Sequence, residues 1–162
     1  MKKTDRIAEF VAQLGTSPGV EGVEGTEFDP RYLGFFQCFN EQQYYEAHDV
    51  LEDLWLQGKQ EPQQGNYRYF KGLIQVAGAF VHLQKQRLRP LHPKDGKRTR
   101  PASRLFQLAA DNLAGYRPFH MALDVEALWA MCMHLKQEIE NSSYILNPWD
   151  PEAAPQLKLR IR

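Results

Sequence analysis

Two residues of chemically active type, His48 and Glu52, stand four positions apart in the segment that runs from Tyr44 to Trp55. In a helix this spacing places both side chains next to each other on one face. A carboxylate one turn away can fix the tautomer of an imidazole, raise its pKa or share a metal ion with it. His48 and Glu52 are therefore the residues that we expect to be catalytic if the protein is an enzyme, which the sequence leaves open.

A second polar pair, Gln75 and His82, stands seven positions apart, so both side chains project the same way from one helix, about 10 Å apart along its axis. Gly78 lies between them and leaves room for a facing side chain, a water molecule or a ligand. The helix follows the first one across a short loop, so we expect the two to pack antiparallel. His48, Glu52, Gln75 and His82 would then line one pocket.

Three interpretations of this pocket remain open. It could be a hydrogen-bonded network that only fixes the register of two helices. It could hold a divalent metal ion through His48, Glu52 and His82, because two histidines and a carboxylate suit zinc or iron, and hydrolysis would be the matching reaction. It could also perform acid–base chemistry on a small ligand without a metal. The side chains that we expect to contact such a ligand are Tyr44, Trp55, Gln75 and His82.

The helix that carries His48 has a start signal and an amphipathic pattern. Asn40 is a favourable N-cap and Gln43 follows at capping-box spacing, so we expect the helix to begin there and to end near Gln57. Its apolar stripe recurs at the helical period through Tyr44, Ala47, His48, Leu51, Leu54 and Trp55. On the opposite side, facing solvent, we expect the acidic residues Glu46, Asp49 and Asp53.

The remaining sequence also predicts helices, and no segment alternates with the period of a strand. Segment 67–88 is apolar almost all round, which is typical of a central helix in a bundle. The other helices are expected at Lys3–Leu14 and at Arg31–Phe39. A further helix has Pro101 in its first turn and ends before Gly115, and Asp124 caps a last long helix whose buried face includes Val125 and Ile139. Loops are expected at Gly15–Pro30, Lys59–Asn66 and Arg89–Arg100. The fold class is thus all-α: a compact multihelical bundle of four or five main helices with short connections.

Length and composition favour a single helical domain over residues 1–162, with a core at about 31–140 and an extended, proline-containing tail over 141–162. The 20 basic and 20 acidic residues cancel, so the whole chain generates no strong field toward nucleic acid or membrane. The two cysteines are too few for a disulfide scaffold. No apolar stretch reaches the length of a membrane span. We therefore expect a cytoplasmic protein, or one in a similar compartment such as the plastid stroma, with no membrane partner.

One stretch of the chain is nevertheless strongly basic, because only Asp95 opposes its positive charges. Its cationic residues are Lys85, Arg87, Arg89, Lys94, Lys97, Arg98, Arg100 and Arg104. Such a segment is either a solvated loop or a surface for an acidic partner or RNA. The rival to the pocket hypothesis follows: a structural or interaction module whose basic segment Lys85–Arg104 engages a partner protein or RNA. The segment lacks interleaved aromatic residues, which gives base stacking little support.

A double motif in this sequence resembles one known family. It consists of Phe39-Asn40, the run E-A-H-x-x-x-E-x-x-W over 46–55, and the run G-L-I-Q over 72–75. Over about Phe36–Leu113 the chain resembles the bacterial and plastid "domain of unknown function" family number 309. The resemblance implies a small all-helical bundle, and it implies nothing for the basic Leu88–Arg100 segment, where shorter members turn tightly. The motif positions that it carries over are Tyr44, Glu46, His48, Glu52, Trp55, Gly72, Gln75 and His82.

Overall fold

The computed structural model describes residues 28–58 and 65–160. The expected helix Lys3–Leu14, nearly all of the Gly15–Pro30 loop and residues 59–64 lie outside these ranges. Inside them the chain forms five α-helices: α1 (Pro30–Asn40), α2 (Tyr44–Gly58), α3 (Tyr67–Leu88), α4 (Thr99–Leu113) and α5 (Val125–Asn141). A 3-10 turn at Ala114–Tyr116 precedes a two-residue antiparallel hairpin, β1 (Phe119–His120) and β2 (Leu123–Asp124). The predicted helical fold class is confirmed, and the small hairpin is an addition to it.

Local signals explain where several helices begin. Asp29 caps α1 by accepting a hydrogen bond from the backbone N–H of Arg31 at 2.8 Å, and Pro30 occupies the first helical position. Asp124 caps α5 by accepting from the backbone N–H of Ala127 at 2.9 Å, as the sequence predicts. Pro101 lies in the first turn of α4, where its missing N–H costs no helical hydrogen bond.

The expected N-cap of α2 is wrong. Asn40 is the last residue of α1, and α2 begins four residues later at Tyr44. Between the two helices Gln42 adopts a left-handed φ of 63°, which reverses the chain direction. The Asn40 side chain instead bonds the backbone of Leu157, accepting from its N–H at 2.7 Å and donating to its carbonyl at 3.0 Å. Helix α1 thus extends one residue beyond its predicted end at Phe39. The side-chain amide of its last residue, Asn40, bonds the distant C-terminal tail.

Helix α3 is the central element. It packs against both α2 and α4, while α1 packs on α2 and α5 packs on α4. On its α2 side, the Phe80 ring stacks on Tyr44 and meets Phe39 edge-to-face, each with ring centroids 5.2 Å apart. On its α4 side, Gly72 permits a close approach, because a Cβ atom there would lie 2.8 Å from Cγ of Leu113. The nearly all-round apolar character of α3 follows from this position between two layers.

The C-terminal tail, which we expected to be extended and to lie outside the core of about 31–140, contributes two buried side chains to the core. Trp149 and Leu157 are 5% and 8% exposed. The indole N–H of Trp149 donates to the Tyr44 hydroxyl at 3.0 Å, and the Asn147 amide donates to the Leu83 carbonyl at 2.8 Å. Burial of these two large apolar side chains in the hydrophobic core stabilises the tail in this position. Within the described ranges, the helices lack the combination of length and apolar character that crossing a membrane requires.

Candidate functional site

The first sequence-predicted pair, His48 and Glu52, lies together on α2. Nε2 of His48 is 3.7 Å from Oε2 of Glu52, and Nδ1 is 3.4 Å from Oδ1 of Asp49. The His48 and Glu52 side chains are 32% and 28% exposed, so solvent and small solutes reach both. The imidazole therefore stands between two carboxylates, those of Asp49 and Glu52.

Asp49 is the residue of this cluster whose environment the sequence misjudges. We expected it to face solvent, yet it is only 6% exposed. The reason is that α1 packs against this side of α2. One turn further on, Asp53 also meets α1, because its carboxylate accepts a 2.7 Å ion-paired hydrogen bond from Arg31. The acidic face of α2 is thus partly an interface within the protein.

Gln75 lies on the α4 side of α3. Its carbonyl oxygen accepts a 2.7 Å hydrogen bond from the side-chain amide of Asn112, on α4. Gly78, one turn along, also faces α4, where a Cβ atom would meet Cδ1 of Leu105 at 3.3 Å. We expected Gly78 to open space toward α2. The structure places Gln75 and Gly78 against α4; with His82 they form what we call the polar strip of α3. The hydrogen bond between Gln75 and Asn112 fixes the register of two closely packed helices.

His82 belongs to the same α3–α4 contact. Its Nδ1 accepts a hydrogen bond from the guanidinium of Arg98 at 3.3 Å, just before α4 begins. Arg98 is held in turn by the carboxylate of Asp95, and its backbone N–H donates to the Gln86 amide oxygen at 2.6 Å. Burial, followed by the positive charges of Arg98 and Lys85, lowers the pKa of His82. His82 is therefore a neutral acceptor near pH 7 that ties the basic segment to α3.

The proposed metal ligands do not form one cluster. Across residues 28–58 and 65–160, no three His, Cys, Asp or Glu side chains are grouped so that they could hold a metal ion. His48 and Glu52 form a pair on α2, while the contact that the structure gives His82 is with Arg98. What the arrangement offers chemically is a partly exposed imidazole–carboxylate pair in one place and a partly buried imidazole–guanidinium contact in another.

The two aromatic residues expected to bind a ligand have different environments. Tyr44 is fully buried, and its hydroxyl is occupied by the indole N–H of Trp149. Burial raises the pKa of the Tyr44 hydroxyl, which keeps it neutral. Trp55 is half-buried, and its ring lies 5.4 Å from that of Tyr67 at the start of α3. Tyr44 is therefore a core residue, while Trp55 is only partly buried.

The basic segment forms a surface that combines charge with exposed apolar groups. Leu88 and Leu91 are 74% and 96% exposed, in and beside the turn that follows α3. The charges are less free than the sequence indicates, because Asp95 pairs with both Arg89 and Arg98. We call the exposed set the loop surface; it consists of Leu88, Arg89, Leu91, Lys94 and Lys97.

The sequence does not reveal the hydrogen-bond partners of Gln75 and His82. Asn112 is 37 residues from Gln75, and Arg98 is 16 residues from His82. Helical spacing identifies neighbours one turn apart on a single helix, and these partners lie beyond its reach. Only Asp49 gives a local signal, since it directly follows His48.

Comparison with known proteins gives one family and no individual relative. No curated protein and no solved structure matches the chain. The family model described as "Domain of unknown function (DUF309)" matches residues 32–92, from the first turn of α1 to the loop after α3. This confirms the family resemblance that the double motif indicates. Over residues 32–92, which include His48, Glu52, Gln75 and His82, the chain therefore matches the DUF309 family.

Proposed function

We propose that this protein is an interaction module whose loop surface binds an acidic, amphipathic segment of a partner protein. The observation that carries the proposal is that exposed leucines lie beside lysines whose charge no carboxylate of the described residues balances. Leu91 is 96% exposed, and Lys94 and Lys97 beside it are exposed and form no ion pair within the described ranges. Exposed apolar groups inside a basic rim are typical of recognition sites for amphipathic acidic helices.

The loop surface is held in shape before any partner arrives. Nδ1 of His92 accepts from the backbone N–H groups of Lys94 and Asp95 at 3.1 and 2.9 Å, and the His92 carbonyl accepts from Gly96 at 2.8 Å. The Arg98 contacts with Asp95 and His82 anchor the loop to α3. A preorganised loop loses less conformational entropy on binding, which favours affinity.

The chemistry of the loop surface favours a protein segment over RNA. Single-stranded RNA is bound by stacking bases on aromatic side chains, and the loop surface contains none. Leucines contribute by burying apolar area, which an amphipathic helix supplies and a ribose-phosphate backbone does not. Lysines opposite carboxylates accelerate association and make it sensitive to salt.

Fluorescence anisotropy with two labelled probes tests this proposal: an acidic helical peptide of leucine and glutamate, and polyuridine RNA. We expect the peptide to bind, with affinity that falls as salt rises. Leu91→Ser and the double change Lys94→Gln with Lys97→Gln should each weaken peptide binding about tenfold or more. Lys158→Gln, an exposed lysine of the tail, is the control and should leave binding unchanged.

Two results would overturn the proposal. One is no peptide binding at low salt. The other is tighter binding of polyuridine than of the peptide, with no response to Leu91→Ser, which would make the loop surface a nucleic-acid site.

A second candidate function rests on the exposed His48–Glu52 pair: binding of a small ligand or divalent cation, with acid–base or hydrolytic chemistry. The chain supplies a matched control, because His134 and Glu138 on α5 have the same spacing and lie 2.9 Å apart. Zinc ions should raise the melting temperature by mass action if the site is specific. Glu52→Gln should then remove the shift while Glu138→Gln keeps it. Equal losses in both variants would mean nonspecific surface binding.

A further inference from the structure

A groove of about 390 Å³ lies between α4 and α5, outside the sites described above. Its volume falls within the range of about 300–1,000 Å³ that is usual for small-molecule sites. The residues that line this α4–α5 groove are Arg100, Ser103, Arg104, Gln107, Leu108, Lys136, Glu140 and Tyr144. Seven of these eight residues carry a charged or hydrogen-bonding group, and Leu108 is the exception.

Two guanidinium groups in the α4–α5 groove are free of ion pairs. Arg100 and Arg104 are four residues apart on α4, so they project from one face about 6 Å apart along the axis. Within the described ranges neither has a carboxylate partner, and both are exposed. Two adjacent positive charges repel each other, and an anion placed between them would relieve that repulsion.

Tyr144 holds one of these groups in place. The guanidinium carbon of Arg100 lies 4.1 Å from the centroid of the Tyr144 ring. The Tyr144 carbonyl accepts a 2.6 Å hydrogen bond from the hydroxyl of Thr99, which fixes the residue against the start of α4. Stacking occupies one face of the guanidinium and leaves its N–H edge available to an anion.

The opposite wall supplies a third cation and one carboxylate. Nζ of Lys136 lies 2.9 Å from Oε1 of Glu140, and this carboxylate also accepts a 3.5 Å hydrogen bond from the buried hydroxyl of Ser103. Three cationic side chains against one carboxylate leave the groove with a net positive charge. An anionic ligand with more than one negative charge fits this balance better than a monoanion.

We propose that the α4–α5 groove binds the phosphoryl group of an organic phosphate monoester. The planar N–H edges of Arg100 and Arg104 match the oxygen atoms of a phosphoryl group, which accept paired hydrogen bonds from guanidinium. Leu108, which is 41% exposed, offers apolar contact to the organic part of the ligand. The phosphoryl group belongs either to a free phosphate ester or to a phosphoserine of a peptide, and both present the same dianion.

Isothermal titration calorimetry on the full chain tests this assignment with three probes: phenyl phosphate, a short phosphoserine peptide, and its unphosphorylated form. We expect the first two to bind and the third not to bind. The double change Arg100→Gln with Arg104→Gln should weaken binding about tenfold or more, because it removes both paired donors. Glu140→Gln should tighten binding several-fold, because it removes the one repelling carboxylate. The tighter of the two phosphorylated probes identifies the source of the phosphoryl group.

The control is the double change Lys158→Gln with Arg160→Gln, which removes the same number of charges from the exposed C-terminal tail. It should leave phosphate affinity within about twofold, since both residues lie outside the groove lining and outside the loop surface. If both double variants weaken binding equally, the attraction is general and the groove is not a site. If neither phosphorylated probe binds, the assignment is also overturned. This outcome does not depend on whether the loop surface binds an acidic peptide.

Discussion

Removal of a single oxygen atom, by Tyr44→Phe, tests whether Tyr44 serves the core or a ligand. The Tyr44 ring is fully buried and stacks on Phe80, and its hydroxyl accepts a 3.0 Å hydrogen bond from the indole N–H of Trp149. Phenylalanine keeps the ring in place and removes the acceptor. We therefore expect a loss of folding stability that needs no ligand to be observed.

The magnitude follows from the burial of the donor. Trp149 is 5% exposed, so water cannot replace the lost acceptor without entering the aromatic cluster. A buried donor without a partner costs about 1–3 kcal/mol. In a chain of 162 residues, each kcal/mol lowers the melting temperature by about 2–4 °C, so the expected fall is about 2–12 °C.

Urea unfolding of four proteins gives the assay: the parent, Tyr44→Phe, Trp149→Phe and the double variant. If the hydrogen bond is what Tyr44 contributes, the double variant should be more stable than the sum of the single losses predicts, by about 1 kcal/mol. Strict additivity, or a loss below about 0.5 kcal/mol in Tyr44→Phe, would refute the reasoning.

Three further predictions concern helix packing, pH and the α2 surface. Gly72→Ala should lower the free energy of unfolding by about 1–3 kcal/mol in urea, because the new methyl would lie 2.8 Å from Leu113 Cγ, whereas Gly115→Ala, with open space around it, should be nearly neutral. Burial and two nearby cations lower the pKa of His82 from its ordinary 6.5, so the folded state binds this proton less readily than the unfolded state. Its contribution to stability is complete above pH 6.5 and declines as the pH falls below it, and His82→Gln should flatten that decline in unfolding curves measured across this range. Trp55→Ala should cost about 1–3 kcal/mol in thermal unfolding, less than the ~3–5 kcal/mol of a fully buried tryptophan, because Trp55 is half-buried; a near-zero loss would mean that its ring does not pack on α3.

The sequence predicts the helices well, because their signals are local. The apolar stripe of α2, the Asp124 cap of α5 and the position of Pro101 in the first turn of α4 all depend on residues within one or two turns. The adjacency of His48 and Glu52 is predicted for the same reason. Each of these interactions is settled within one helix, whatever that helix packs against.

The direction in which polar residues face is decided by distant parts of the chain. Gln75 and His82 were expected to face α2, yet the contacts they make are with Asn112 and Arg98 on the α4 side. Both sides of α3 are packed by a helix, so the pattern of α3 alone does not distinguish them. Asn40 illustrates the same limit, since its cap-like amide bonds the tail instead of starting a helix.

The bond between Asn40 and Leu157 has a consequence for the order in which the protein forms during synthesis. The two residues are 117 positions apart, and the ribosome needs on the order of ten seconds to make that length of chain. Once Leu88 has been made, α1, α2 and α3 can assemble, but the aromatic rings around Tyr44 lack their cover by Trp149 until that residue follows. The nascent chain therefore displays an uncovered apolar surface until Trp149 has been made, and this is the stage at which we expect a chaperone to contact it.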